Sequence, residues 1–117
     1  MLIKLNKIFK IDTDFENVFI IDNKTKNYNK KIPINTSTRV LNGKKYDTLY
    51  IIEPKTSYLI PLPSNYQNNS SCIVNNLIGE TGIILQQVKN DYILLYNTNE
   101  NLIFLNKDIN ICNIEEA

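Results

Sequence analysis

Lys24, Lys26, Lys30 and Lys31, with Tyr28 among them, form the densest group of chemistry-bearing side chains in the sequence, and Arg39, Lys44 and Lys45 extend it. Ammonium groups spaced this way attract phosphates, and an interleaved aromatic ring can stack a base. This set is therefore the candidate binding patch for nucleic acid or a nucleotide, with a solvated lysine-rich loop as the plainer alternative. Arg39 is the sole arginine. Arginine supplies the bidentate guanine contact that most often gives base specificity, so sequence-specific DNA reading is not expected.

Other groups offer less. Asp12, Asp14 and Glu16 alternate so that three carboxylates could share one face of an extended segment or surround a hard cation. Read as a calcium loop, the stretch has Asn17 where glycine is needed and Asn23 where a bidentate glutamate is needed. A solvated turn is the better reading, and no metal is expected. Gly79 and Gly82 lack the spacing of a phosphate loop and precede a strand instead of a helix, so they read as a turn. Ser57, Ser64, Ser70, Ser71, Cys72 and Cys112 are the available nucleophiles, but histidine is absent and with it the usual base that would activate them. No catalytic residue and no cofactor are assigned. The chain reads as a non-enzyme, with a hydrolase or ribonuclease as the lesser alternative.

The background composition favours that reading. The chain has 117 residues, 43% hydrophobic and 21% charged, enough for one domain with a real core over residues 1–117. Its 19 Ile, 19 Asn and 12 Lys, against one Ala and one Arg, indicate an AT-rich gene, as in low-GC bacteria, their phages and plasmids. Under such a bias Asn and Lys are default surface residues. A net charge of +1 hides an asymmetry: residues 1–58 carry +5 and residues 59–117 carry −4. Any subdivision would fall between a basic half at 1–62 and an acidic half at 72–117. No run of apolar residues is long enough to span a bilayer. A cytoplasmic location without membrane association is expected, with Cys72 and Cys112 as free, buried thiols; under secretion they would be the natural bridge.

The elements that must position these residues are strands. Ile3, Leu5, Phe9 and Ile11 occupy one parity and Lys4, Asn6 and Lys10 the other, which predicts a half-buried first strand. Residues 17–22 predict a second strand before a polar loop at 23–27, and Pro33 confines residues 30–34 to an edge. Asn42-Gly43 between two β-rich runs predicts a type I′ hairpin. Residues 57–62 predict a short strand for which Pro61 implies an edge position or an early end, and residues 70–78 fit a strand or a helical turn equally. Residues 83–88, 92–96 and 102–105 predict a three-stranded meander, followed by a 3₁₀ turn at Lys107-Asp108 and a closing strand. The expected class is all-β: a small barrel or sandwich of about eight short antiparallel strands.

From residue 78 to 114 the succession IGETGIILQQVKNDYILLYNTNENLIFLNKDINICNI, with Gly-x-x-Gly ahead of three meandering strands and a polar turn into a closing strand, resembles the small SH3-like barrels, including KOW-type modules. That resemblance implies an SH3-like meander and a binding role for nucleic acid, peptide or protein. The segment itself is acidic, with only Lys89 and Lys107, which departs from the nucleic-acid-binding versions. Tyr46, Tyr50, Tyr58, Tyr66, Tyr92 and Tyr96 suit strands and, where exposed, interfaces. The expected function is binding of another protein, as a phage- or plasmid-type accessory or inhibitor protein, with nucleic acid as the alternative partner.

Overall fold

A computed structural model of the chain describes residues 1–12, 31–63, 72–88 and 92–116; at 37–41 and 44–47, and at Cys72 and Glu116, it describes the backbone alone. The predicted strand at 17–22, the loop at 23–27, and Asp14 and Glu16 lie outside the described residues. Asp12 ends the first described stretch and is exposed.

Period-two patterning is realised in eleven strands among the described residues: β1 (Leu2–Lys4), β2 (Phe9–Ile11), β3 (Lys31–Pro33), β4 (Ser37–Leu41), β5 (Lys44–Ile52), β6 (Ser57–Pro61), β7 (Cys72–Asn76), β8 (Ile83–Val88), β9 (Tyr92–Asn97), β10 (Ile103–Asn106) and β11 (Asn110–Glu116). All pairings are antiparallel. They build a terminal sheet β1-β11-β7, a hairpin sheet β10-β5-β4 and a five-stranded sheet β3-β2-β6-β9-β8. The all-β class holds, and none of the three sheets closes into a barrel. No helix among the described residues is long and apolar enough to cross a membrane.

Several local expectations are met for the stated reasons. Asn42 and Gly43 both take positive φ, 52° and 77°, and Leu41 pairs with Lys44 across them, so the hairpin closes on its two-residue turn. Pro33 sits in β3, an edge strand. Residues 72–76 resolve as a strand, and residues 79–82 as a single 3₁₀ turn capped by Gly82 at φ 82°. A Cβ on Gly82 would lie 2.8 Å from the Asn99 amide, so space as well as backbone angle requires glycine there.

Other expectations are corrected. The first strand is two strands in different sheets, because the Asn6 N–H donates to the Lys4 carbonyl (3.1 Å) and bends the chain. The bend shifts the apolar frame, so Ile8 is buried with Ile3, Leu5 and Ile11, while Phe9 is only half-buried. Of the two readings of Pro61 the early end holds and the edge does not: β6 stops at Pro61 and lies between β2 and β9. The proline is accommodated because β2 pairs only with Tyr58 and Leu59 and has ended before Pro61 is reached. The predicted meander keeps its β8–β9 hairpin, but β10 leaves for β5 in the hairpin sheet. Lys107 and Asp108 form a β-turn, with Asp108 at φ 65°, instead of a 3₁₀ turn.

One hydrophobic cluster draws on all three sheets. It includes Ile3, Ile111 and Ile114 from the terminal sheet, Tyr50, Ile52 and Leu105 from the hairpin sheet, and Tyr58, Ile60, Ile83, Ile93 and Leu95 from the five-stranded sheet. Each such aliphatic side chain contributes about 1.5–3 kcal/mol on burial. Leu59 and Leu94, on the opposite parity of β6 and β9, join Ile11 and Val88 in a second cluster, so the central strands are buried on both faces.

Among these apolar side chains lies the fully buried amide of Asn97, the last residue of β9. Its Nδ2 donates to the carbonyls of Ile52 (3.2 Å), Glu53 (3.1 Å) and Asn101 (3.1 Å), and its Oδ1 accepts from the Asn99 N–H (3.0 Å) and Asn99 Nδ2 (2.9 Å). The amide thus joins the end of β9 to the end of β5 in a different sheet. With two hydrogens for three carbonyls, one hydrogen is shared. Replacing the amide takes the donor from one buried and two part-buried carbonyls at once. Asn97→Ala is expected to lower the unfolding free energy by about 3 kcal/mol in urea titrations at pH 7, and a loss below about 1 kcal/mol would show that water satisfies those carbonyls instead.

Candidate functional site

Where β5 and β10 pair, the hairpin sheet carries apolar residues on both faces. Inward, Tyr50, Ile52 and Leu105 are buried in the core. Outward, Ile51 stands directly opposite Phe104 in the β5–β10 register, with Leu49 opposite Asn106 one step along the same face. Phe104 is 57% exposed, Leu102 47% and Ile51 38%. β10 is the outer strand of its sheet, so this strip runs to an edge with no further strand beyond it among the described residues. Cross-strand neighbours on one face lie close enough to act as a unit, so the result is a continuous uncharged patch centred on an aromatic ring.

The sequence did signal this strip. Residues 102–105 are apolar at four consecutive positions, and residues 49–52 likewise. A strand with one wet face alternates; a strand apolar at both parities is built to be covered on both sides. β6 and β9 meet that condition internally, whereas in β5 and β10 the second face remains in solvent.

The basic set divides. Lys24, Lys26, Tyr28 and Lys30 lie outside the described residues. Arg39 falls in β4, at its register shift, and Lys44 and Lys45 follow the Asn42-Gly43 turn, all on the hairpin sheet. Lys31 instead belongs to β3 of the five-stranded sheet, so the structure does not put it on one sheet with the other three. Its Nζ donates to the Tyr92 hydroxyl (2.8 Å) and stands 4.9 Å from the Tyr92 ring centroid and 5.8 Å from that of Phe9. The cation is already engaged by two aromatic rings at the sheet edge.

Of the other candidates, Ser64, Ser70 and Ser71 lie outside the described residues, and Ser57 is buried. Among the described residues no three of the metal-ligating acids and thiols gather in one place. Cys112 pairs in register with Asn76, while Cys72 pairs with Glu116 on the same two strands. Four residues of offset separate them by about 13 Å along the strands, too far for a disulfide. Cys112 is fully buried, and burial pushes its thiol up to about 11. It is therefore protonated at neutral pH and inert as a nucleophile. The exposed Lys10–Glu53 pair (2.6 Å) raises Lys10, chiefly through its hydrogen bond, and is a surface tie between β2 and the end of β5.

No protein-family profile, curated protein or solved structure matches this chain.

The Cys112 environment has a consequence for alkaline stability. In the unfolded chain the thiol ionises near its ordinary pKa of about 8.5, whereas the folded state holds its proton to about 11. Stability from this site is thus complete below the ordinary value and is lost as pH rises toward the folded one. Tyr50 and Tyr58, both raised mainly by burial, act in the same direction at higher pH. Melting temperatures measured from pH 7 to 11 should fall more steeply for the wild type than for Cys112→Ala, and parallel profiles would contradict the assignment.

Proposed function

We propose that this chain acts by binding another protein, without chemistry of its own, and that the outward face of the hairpin sheet is the contact surface. The observation that carries the reading is the Phe104–Ile51 pair, flanked by Leu49 and Leu102, exposed on an edge-terminated sheet whose other face is already core. Aromatic side chains at the centre of uncharged patches are the usual anchors of interfaces. Leu49, Ile51, Leu102 and Phe104 are all apolar, with the Lys10–Glu53 pair at one end of the strip, so the partner presents an apolar surface of its own, and the edge of β10, unpaired among the described residues, offers strand pairing beside it. The histidine-free composition and the buried, protonated Cys112 support a non-catalytic role. Together with the small size and AT-rich coding, this supports a cytoplasmic accessory or inhibitory protein of a phage or plasmid.

The test compares three full-length proteins immobilised against lysate of an AT-rich bacterial host: wild type, Phe104→Asp, and Ile84→Asp, which alters an equally outward residue on β8. Surface changes of this kind alter stability by about 0.5 kcal/mol or less, so all three should fold. A discrete protein retained by wild type and Ile84→Asp, and reduced at least tenfold by Phe104→Asp, is expected. Retention that ignores Phe104→Asp, or no specific retention by wild type, would overturn the proposal.

A further inference from the structure

A second surface lies where the three sheets meet, away from the apolar strip. The β1–β2 link, the segment after β3, the Tyr50 ring of β5 and the β10–β11 turn enclose a cleft of about 250 Å³. Its walls are fixed to one another by backbone hydrogen bonds: Ile34 N–H to the Ile8 carbonyl (3.3 Å), Asp108 N–H to the Leu5 carbonyl (2.8 Å) and Lys107 N–H to the Thr48 carbonyl (2.8 Å). The cleft is therefore formed in advance by the meeting of elements from different sheets, and no loop has to close to make it.

Its lining is rich in donors and positive in charge. Lys7 and Lys107 both border it, with Asn35 and Thr36 on the opposite wall, and no Asp or Glu lines it. Neither lysine has a carboxylate partner among the described residues; the Lys7 ammonium stands 5.5 Å from the centroid of the Phe9 ring, which also lines the cleft. Tyr50 is only 4% exposed and borders the cleft, and its hydroxyl is not among the buried groups left without a partner. A phenol bordering the same cleft as two lysines adds a neutral donor to their positive charge. Asp108 occupies the neighbouring hollow beside Thr48, outside this cleft. Its charge, like the burial of Tyr50, keeps the phenol protonated and so a donor.

We propose that this cleft is a binding site for a phosphate group. Two ammonium groups match a phosphate dianion better than a carboxylate, and three terminal oxygens can meet both lysines and the Tyr50 hydroxyl together. The cleft is roomier than a phosphate alone, so a phosphomonoester would place part of the rest of its molecule within it, beside Phe9. The site is independent of the protein-binding face: it uses none of Leu49, Ile51, Leu102 or Phe104.

The test is an NMR titration of the full chain at constant ionic strength with inorganic phosphate, adenosine 5′-monophosphate and, as controls, acetate and chloride. Phosphate should saturably shift the amides of Asn35, Thr36 and Asp108, and the two controls should not. The double variant Lys7→Gln/Lys107→Gln should weaken phosphate binding at least tenfold, and Tyr50→Phe, which keeps the ring in the core, several-fold. Tighter binding of the nucleotide with movement of the Phe9 signals identifies a nucleotide as the source of the phosphate; equal binding identifies the phosphate alone. Identical shifts with acetate or chloride, or phosphate binding unchanged in the lysine double variant, would overturn the proposal.

Discussion

The amide of Asn97 is the joint on which the arrangement of sheets depends. Strands of the five-stranded and hairpin sheets do not pair with each other, so the main chain offers no ladder between them. Apolar contact brings the sheets together but is non-directional and tolerates sliding. The Asn97 amide supplies direction, since it must meet carbonyls on β5 and on the turn after β9 at the same time. Asn99 carries the connection further, donating from Nδ2 to the Thr81 carbonyl (2.6 Å) in the 3₁₀ turn that precedes β8. The ends of β5 and β9 and the start of β8 are thereby held in one polar cluster at the rim of the apolar core, anchored inward by the fully buried Asn97.

That joint decides which side of the hairpin sheet faces out. With the end of β5 pinned to β9, the parity of Tyr50 and Ile52 is committed to the core and that of Leu49 and Ile51 to solvent. β10 follows through its register with β5, which turns Leu105 inward and Phe104 outward. A strand slip of one residue would exchange the two sets, and an amide bonded to a particular pair of carbonyls forbids it. The same commitment places Tyr50 in the cleft that Lys7 and Lys107 also border, from separate connections. The apolar strip and the cationic cleft are thus two products of one docking geometry.

What the sequence discloses is local, and what it conceals is pairing between distant segments. Asn42-Gly43 announces its hairpin because the positive φ angles are a property of those two residues, and Pro33 announces an edge because its missing N–H is its own. Asn97 announces nothing: it is one of 19 asparagines in a chain where coding bias makes asparagine ordinary, and only the tertiary fold buries it. β10 likewise reads as the next strand of a meander, because neighbouring strands usually pair, until β5 proves to be its partner, with Ile103 opposite Ile52 and Asn106 opposite Leu49. The exposed strip was legible as runs apolar at both parities, but not which of those runs would stay uncovered. The basic set was legible as charge; its separation onto two sheets was not, since β3 and β4 are consecutive in the chain and part only in space.

Site-specific photo-crosslinking in an AT-rich bacterial host tests the binding account most directly, with a benzophenone amino acid placed at position 104 and, in a second protein, at position 84. Both positions are exposed, and they lie on different sheets. The account predicts one discrete higher-mass adduct from position 104, containing a second protein, and none from position 84. Adducts from position 84 alone, or none from either at matched expression, would contradict it.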